Sequence, residues 1–143
     1  MTACVFFILL LLTIYSYALY PPILWFLQRI AYRPWKVSAN TPSVSIVISV
    51  YNEERVIREK VKNALALEYP AELLEVIVSS DGSTDRTHDI VNEFKDPRVV
   101  LKCFGRLGKT ECLNRVVPQA KGDIVLFTDA NAIFPTDLLL HLT

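Results

Sequence analysis

From Val44 onward, short apolar runs alternate with segments whose apolar residues recur at helical spacing. Val44–Val50 is continuous, apolar and rich in β-branched residues, the pattern of a strand buried on both faces. Val56, Ile57, Val61, Ala64 and Leu65 follow as one helical stripe, with Asn52 predicted as its cap, Glu53 and Glu54 in its first turn, and Pro70 as its end. Glu75–Ser79 predicts a second strand. Ser83 or Thr84 can then cap a helix carrying Ile90, Val91 and Phe94 on one face, which Asp96-Pro97 ends. Arg98–Phe104 predicts a weaker third strand, and Gly108 to Val117 a helix with Leu113, Val116 and Val117 inward, ended by Pro118 and Gly122. Ile124–Phe127 predicts the fourth strand, and a last helix starts near Pro135-Thr136 and runs to Thr143. This alternation predicts an α/β fold with a parallel sheet.

Three of the predicted strands end in acid-bearing tags: Val50-Tyr51-Asn52-Glu53-Glu54, Ser80-Asp81-Gly82-Ser83-Thr84-Asp85 and Thr128-Asp129-Ala130-Asn131. Parallel sheets bind ligands outside the carboxyl ends of their strands, so tags far apart in sequence are expected to meet in one crevice. Each has a second reading. Asp-Gly-Ser is ordinary turn chemistry between strand and helix, and Asp129 is equally suited to a turn or cap. Read together, acids gathered at one sheet end suit a hard divalent cation that prefers oxygen donors and bridges to phosphates.

The amino-terminal part has a different pattern. No charged side chain occurs from Met1 to Gln28, and Thr2 to Tyr20 is long enough to span a bilayer core of roughly 20 helical residues. Pro21-Pro22 is expected to break or kink this helix, leaving Leu24, Trp25, Phe26 and Leu27 at the interface. Arg29, Arg33 and Lys36 follow at once while the leading flank has no Lys or Arg, so the positive-inside rule puts the rest of the chain in the cytoplasm. A cleaved signal peptide is the rival. Ser16-Tyr17-Ala18 passes for a cleavage site, but the basic leading region is missing and hydrophobicity continues beyond Ala18. The organisation expected is a transmembrane anchor over 1–28, a linker over 29–42 and an α/β domain over 43–143.

Charge adds mainly exclusions. The 143 residues carry 15 basic and 15 acidic side chains, and no basic stripe with interleaved aromatics supports a nucleic-acid partner. The three cysteines lack CxxC spacing, which argues against a disulfide framework and a zinc site. They read as small buried hydrophobes.

In order and spacing, four segments resemble the family 2 glycosyltransferases, whose fold is GT-A: Val44 to Glu54 (VSIVISVYNEE), Glu75 to Asp85 (EVIVSSDGSTD), Arg106 to Asn114 (RLGKTECLN) and Asp123 to Asn131 (DIVLFTDAN). The resemblance covers about residues 43 to 142. It implies a nucleotide-sugar donor, usually a UDP-sugar, and a membrane-bound synthase of envelope polysaccharide or an enzyme adding a sugar to a lipid carrier, so the acceptor is a glycan or lipid-linked. It also implies that Tyr51 and Glu53 line the nucleoside pocket, that Asp81 accepts from the uracil, that Lys109 lies near the donor, and that Asp129 begins an Asp-x-Asp motif holding Mn²⁺ or Mg²⁺ against the diphosphate.

Two positions depart from the family pattern. Ser80 stands where many relatives have an acid. Asn131 stands where the metal motif has its second Asp, and its amide oxygen can still coordinate a cation, without the charge. The family's general base is an Asp well downstream of the metal motif, so the catalytic base is expected beyond Thr143 and no residue of this chain is named for it. His88 and His141 sit on predicted helices and read as structural. Four strands make the nucleotide-binding half of a larger domain, and Leu138-Leu139-Leu140 has no later element to pack against, so the chain reads as the truncated N-terminal part of a longer protein.

Two rivals stand beside this reading. Gly108-Lys109-Thr110 with the Ile124 to Asp129 strand suggests a P-loop NTPase, but Cys103 occupies the position of the loop's first glycine. The other rival is a non-catalytic, membrane-tethered nucleotide-binding module.

Overall fold

The computed structural model describes residues 2–31 and 41–143, in two compact units. Most of the expected linker, residues 32–40, lies outside the described residues.

The first unit is one apolar helical stretch, Thr2–Ile30, of 29 residues; an 18-residue window of it has a mean hydropathy of 2.2 and is not buried within the structure. It is long and apolar enough to cross a membrane. The proline pair does not end it. Helix α1 (Thr2–Ile14) passes through a π-helical segment, Tyr15–Leu19, into α2 (Tyr20–Ile30). Pro21 and Pro22 have no N–H for the carbonyls one turn earlier, and the helix accommodates them by widening just before the pair, where the Tyr20 N–H reaches back to the Tyr15 carbonyl.

The second unit is a four-stranded parallel sheet of β1 (Val44–Val50), β2 (Leu74–Asp81), β3 (Val99–Phe104) and β4 (Ile124–Asp129), in the order β3-β2-β1-β4. The strands expected from the pattern are all present. Strand β1 pairs on both edges, Ser49 standing opposite Ser79 on one side and Asp129 on the other. Its even-numbered residues Val44, Ile46, Ile48 and Val50 join β2 residues, α3 (Ile57–Leu65), α4 (Thr87–Asn92) and Leu139 of α6 (Leu138–Leu142) in the larger core. Val47 and Ile77, on the opposite face, pack against Val116 of α5 (Lys109–Val116). The result is three layers, with helices on both faces of the sheet.

The structure differs from the pattern-based reading in several places. Strand β4 lies at the sheet edge, and Phe127 is 51 % exposed, so its apolar run does not mean burial on both faces. Helix α3 starts later than Asn52. Asn52 adopts a left-handed φ of 55° and does not cap it, and Glu53 and Glu54 lie in the turn before it. Helix α4 begins at Thr87, and the local side chain bonding its first turn is Asp85, in place of Ser83 or Thr84. Phe94 lies past the end of α4, and Val117 is exposed in a 3₁₀ turn. Of the cysteines only Cys112 is buried; Cys4 and Cys103 are exposed, the first on the apolar helix and the second on edge strand β3. Leu139, expected to lack a partner, is 1 % exposed within the larger core. The last helix starts later than expected, at Leu138, and the Thr143 hydroxyl donates to the Leu139 carbonyl (2.7 Å).

Two positions bind the sheet closely. A Cβ at Gly122 would sit 2.4 Å from the Ser45 nitrogen and 2.7 Å from the Val44 carbonyl carbon. Its N–H donates to the Ser45 hydroxyl (2.9 Å), which in turn donates to Glu75 (2.8 Å). Lys60 occupies an inward position of α3 between Ile57 and Ala64, yet it is 0 % exposed. Its ammonium donates to the Ala132 carbonyl (2.6 Å) and lies 3.5 Å from the centroid of the Phe134 ring. Burial lowers its pKa to about 8, partly opposed by the negative charge of Asp129.

Gly122→Ala is expected to destabilise the domain by about 3 kcal/mol, because the methyl group meets backbone on neighbouring β1; chemical denaturation followed by circular dichroism checks this. Lys60 gives a pH dependence of known sign. Between pH 8 and its ordinary value of 10.5, the unfolded chain keeps the lysine proton and the folded chain releases it, so stability rises with pH across that window. The Lys60→Met variant is expected to lose this rise, on the order of 2 kcal/mol between pH 8 and 10.

Candidate active site at the carboxyl ends of the strands

The sheet order reverses direction at β1. The chain steps from β1 to β2 to β3 on one side, then crosses back to place β4 on the other. The crevice at such a switch point is where open α/β sheets take ligands. Here β1, β2 and β4 deliver Tyr51, Asp81 and Asp129, and α5 delivers Lys109 from its first residue and Cys112 one turn on. These five side chains, with Ser79, line a cavity of about 120 Å³. A larger cavity of about 600 Å³ lies at the amino ends of the strands, beside Glu75, Arg98 and Lys121. Position at the carboxyl ends and the chemistry of the side chains favour the smaller one as the site.

The first two tags are bound to each other. The Asn52 N–H donates to the Ser83 hydroxyl (3.1 Å), and Asn52 Oδ1 accepts from the Thr84 N–H (2.7 Å). The Glu53 N–H donates to the Thr87 hydroxyl (2.9 Å), the Glu54 N–H to Asp85 (3.0 Å), and the Arg86 N–H to the Glu54 carboxylate (3.1 Å). Burial alone would push the Asp85 carboxyl upward. The hydrogen bonds it accepts from Thr87 and from the Glu54 N–H outweigh that and hold it below the usual carboxylate value. His88 places Nε2 2.7 Å from the Ser80 hydroxyl. His141 lies against Asp137 on exposed α6.

Asp81 organises the next loop. Its Oδ1 accepts from the N–H groups of Leu107 (2.7 Å) and Gly108 (3.0 Å), and the Cys112 thiol donates to the same oxygen (3.4 Å). Partial burial raises its pKa, but the Gly108 and Leu107 N–H groups, the thiol and the nearby Arg106 guanidinium together lower it. Oδ2 receives a longer bond from Gly108 (3.1 Å) and keeps capacity for another donor. Gly82 makes this geometry possible with a φ of 72°, where a Cβ would press 3.2 Å from the Arg106 nitrogen. The Leu107 and Gly108 amides are thus engaged by Asp81, which leaves them poorly placed to wrap phosphates as a P-loop does.

Arg106 is a site residue that pattern reading missed. Its guanidinium lies 3.3 Å from the centroid of the Tyr51 ring and 3.7 Å from Asp81 Oδ2. A basic residue beside the Gly-Lys step was the available signal.

Lys109 and Asp129 form an ion pair at 2.6 Å, each side chain about 60 % exposed. Water screens such a pair, so it is weak enough for a ligand to displace. Asn131 is exposed in the turn after β4, and Glu53 does not line the cavity. Ser79, opposite Ser49 in the sheet, is 2 % exposed and its hydroxyl has no partner among the described residues, a cost of about 1–3 kcal/mol that a water or ligand contact would relieve. Burial and the neighbouring Asp81 carboxylate push the Cys112 thiol up to about 11.

Among the described residues no group of three or more His, Cys, Asp or Glu side chains could cage a metal ion. Asp129 and Asn131 provide a carboxylate and an amide oxygen on an exposed strand end. That set fits a hard cation that takes one or two protein oxygens and completes its shell with phosphate and water.

The match to known proteins agrees with this geometry. Residues 45–143 match the sequence model described as Glycosyl transferase family 2. The beta-monoglucosyldiacylglycerol synthase of Nostoc sp. is 38 % identical over 111 residues, 74 % of this chain and 24 % of its own length. The poly-beta-1,6-N-acetyl-D-glucosamine synthase of Staphylococcus epidermidis is 34 % identical over 97 residues, 66 % of this chain and 23 % of its own. The chain thus spans about a quarter of the length of these curated relatives. A mannosyltransferase of Pyrobaculum calidifontis, solved with GDP-Man and Mn²⁺, superposes with a TM-score of 0.65 at 35 % identity, covering 80 % of this chain and 36 % of that one. TarS of S. aureus, solved with UDP-GlcNAc, superposes with a TM-score of 0.62 at 28 % identity, covering 70 % of this chain and 30 % of that one. Taken with a parallel sheet that carries its acids at the switch point, a family match across nearly the whole α/β unit means that this chain belongs to glycosyl transferase family 2, with a GT-A-type fold.

Proposed function

We propose that the chain carries the donor-binding half of an inverting transferase, which moves a sugar from a UDP-sugar to a glycan or lipid-linked acceptor in envelope polysaccharide or glycolipid synthesis. The observation that carries this reading is the convergence of Tyr51, Asp81, Lys109 and Asp129 on one cavity at the carboxyl end of the sheet. Relatives named for glycolipid and polysaccharide synthesis, and neighbours solved with UDP-GlcNAc or GDP-Man, support it. The apolar helix Thr2–Ile30 serves as the membrane anchor, and the basic residues after it favour a cytosolic α/β domain.

Each side chain then has a role set by its chemistry. The Tyr51 ring, now covered by Arg106, offers a flat surface to the base, and Asp81 Oδ2 accepts from a base N–H. Glu53 supports the nucleoside pocket through its place in the interlocked turn. Lys109 moves from Asp129 to the diphosphate and neutralises part of its charge. Asp129 and Asn131 would hold Mn²⁺ or Mg²⁺ beside the donor. When bound, the cation supplies electrostatic and Lewis-acid stabilisation of the leaving group. In the reaction, the acceptor oxygen bonds to the anomeric carbon as the bond to the diphosphate oxygen breaks, a single displacement that inverts the configuration. The acceptor's proton passes to a general base.

Isothermal calorimetry on the chain in detergent tests the donor reading. Asp129→Ala is expected to abolish the Mn²⁺-dependent part of UDP binding, and unchanged UDP and Mn²⁺ affinities would sink the metal assignment. Lys109→Met is expected to weaken UDP binding roughly tenfold through loss of a charge-assisted phosphate contact. The same variant releases Asp129 from its ion pair and should bind Mn²⁺ alone more tightly than the parent.

A further inference from the structure

The turn that carries Asp129 and Asn131 is packed at one residue, Ala130, which is 2 % exposed in the larger core, while Phe127 and Ile133 are exposed and Asn131 faces solvent. The side-chain hydrogen bonds to the backbone that follows come from one face of α3. Lys60 donates to the Ala132 carbonyl (2.6 Å), and one turn further Asn63 brackets Phe134, its Nδ2 donating to the Phe134 carbonyl (2.8 Å) and its Oδ1 accepting from the Phe134 N–H (2.8 Å). Three hydrogen bonds from two side chains therefore grip the backbone immediately after the acid-bearing strand end.

Stability alone does not explain a lysine at that position. The position lies on the apolar stripe of α3, and the side chain is wholly buried. An aliphatic residue of similar volume would spare the cost of desolvating an ammonium ion, and buried charges replaced in this way commonly leave a protein no less stable. A charged donor aimed at one carbonyl, beside an amide that reads both polar groups of a single residue, specifies where a backbone segment lies. The segment so specified begins directly after Asn131.

We infer that Lys60 and Asn63 are positioning residues for the metal-holding strand end: they fix the backbone of residues 132–134 so that Asp129 and Asn131 present their oxygens to a cation shared with the donor diphosphate. This rests on the donor reading above. Neither side chain lines the cavity, and neither lies in the resembling segments. Partners that orient metal ligands from behind typically contribute 10- to 100-fold to metal affinity.

The test uses the full chain in detergent, with Lys60→Met and Asn63→Asp. The first keeps the volume and removes the charged donor; the second keeps the acceptor for the Phe134 N–H and removes the donor to its carbonyl. UDP affinity is measured by calorimetry with and without Mn²⁺, beside thermal unfolding. Both variants are expected to reduce the factor by which Mn²⁺ strengthens UDP binding by about tenfold or more, with metal-free UDP affinity within roughly twofold of the parent. A merely structural role would lower metal-free and Mn²⁺-dependent binding together with the unfolding temperature, and that result overturns the inference. An unchanged Mn²⁺ effect in both variants, while the parent binds as expected, also overturns it and leaves the donor reading intact. A parent chain with no Mn²⁺-dependent UDP binding overturns the donor reading and this role with it.

Discussion

Strand β1 forms parallel ladders along both edges and is buried on both faces, so it has no freedom to slip relative to its neighbours. A shift of one residue would turn Val44, Ile46, Ile48 and Val50 away from α3 and α4 and push Ser45 and Ser49 into an apolar core. That single register sets which residues reach the end of the sheet together. Ser49 lies between Ser79 and Asp129, and one step further the chain leaves the sheet as Tyr51 beside Asp81. The site is therefore a consequence of strand pairing. Its floor is the last row of the sheet, and its walls are the turns that must follow.

Those turns are stabilised in different ways. The turns after β1 and β2 are joined by hydrogen bonds of Asn52 with Ser83 and Thr84, of Glu53 with Thr87, and of Glu54 with Asp85 and Arg86, so neither is ordered alone. Asp81 acts twice, as anchor of the 106–108 backbone and as a carboxylate facing the cavity. The turn after β4 has no such neighbour and depends on α3. Lys109 and Arg106 are exposed cations; Lys109 rests on the equally exposed Asp129, and Arg106 on the Tyr51 ring.

The strands and their acid-tagged ends were legible because they follow from local signals: a run of β-branched residues, an acid where the run stops, and a glycine where the turn must close. Other features depend on tertiary context. Asn52 looks like a helix cap because Asn favours that position, yet its left-handed backbone and its bond to Thr84 serve the joining of two turns 32 residues apart. The apolar run of β4 resembles that of β1 although one is an edge strand and the other central, since composition reports propensity and not neighbours. Lys60 left a visible trace, a charge on the inward side of an amphipathic stripe, but its carbonyl partner lies 72 residues away. Arg106 offered only proximity to the Gly108-Lys109 step.

Cys112 shows what the Asp81 arrangement does to chemistry that the site does not use. The nucleophile in thiol reactions is the thiolate, and at Cys112 burial and an adjacent carboxylate both oppose its formation. The carboxylate that shapes the cavity thereby passivates the sulfur beneath it. A cysteine can line a polar cavity here and remain a hydrogen-bond donor, sheltered from the alkylation and oxidation to which an exposed, acidic thiol would be prone.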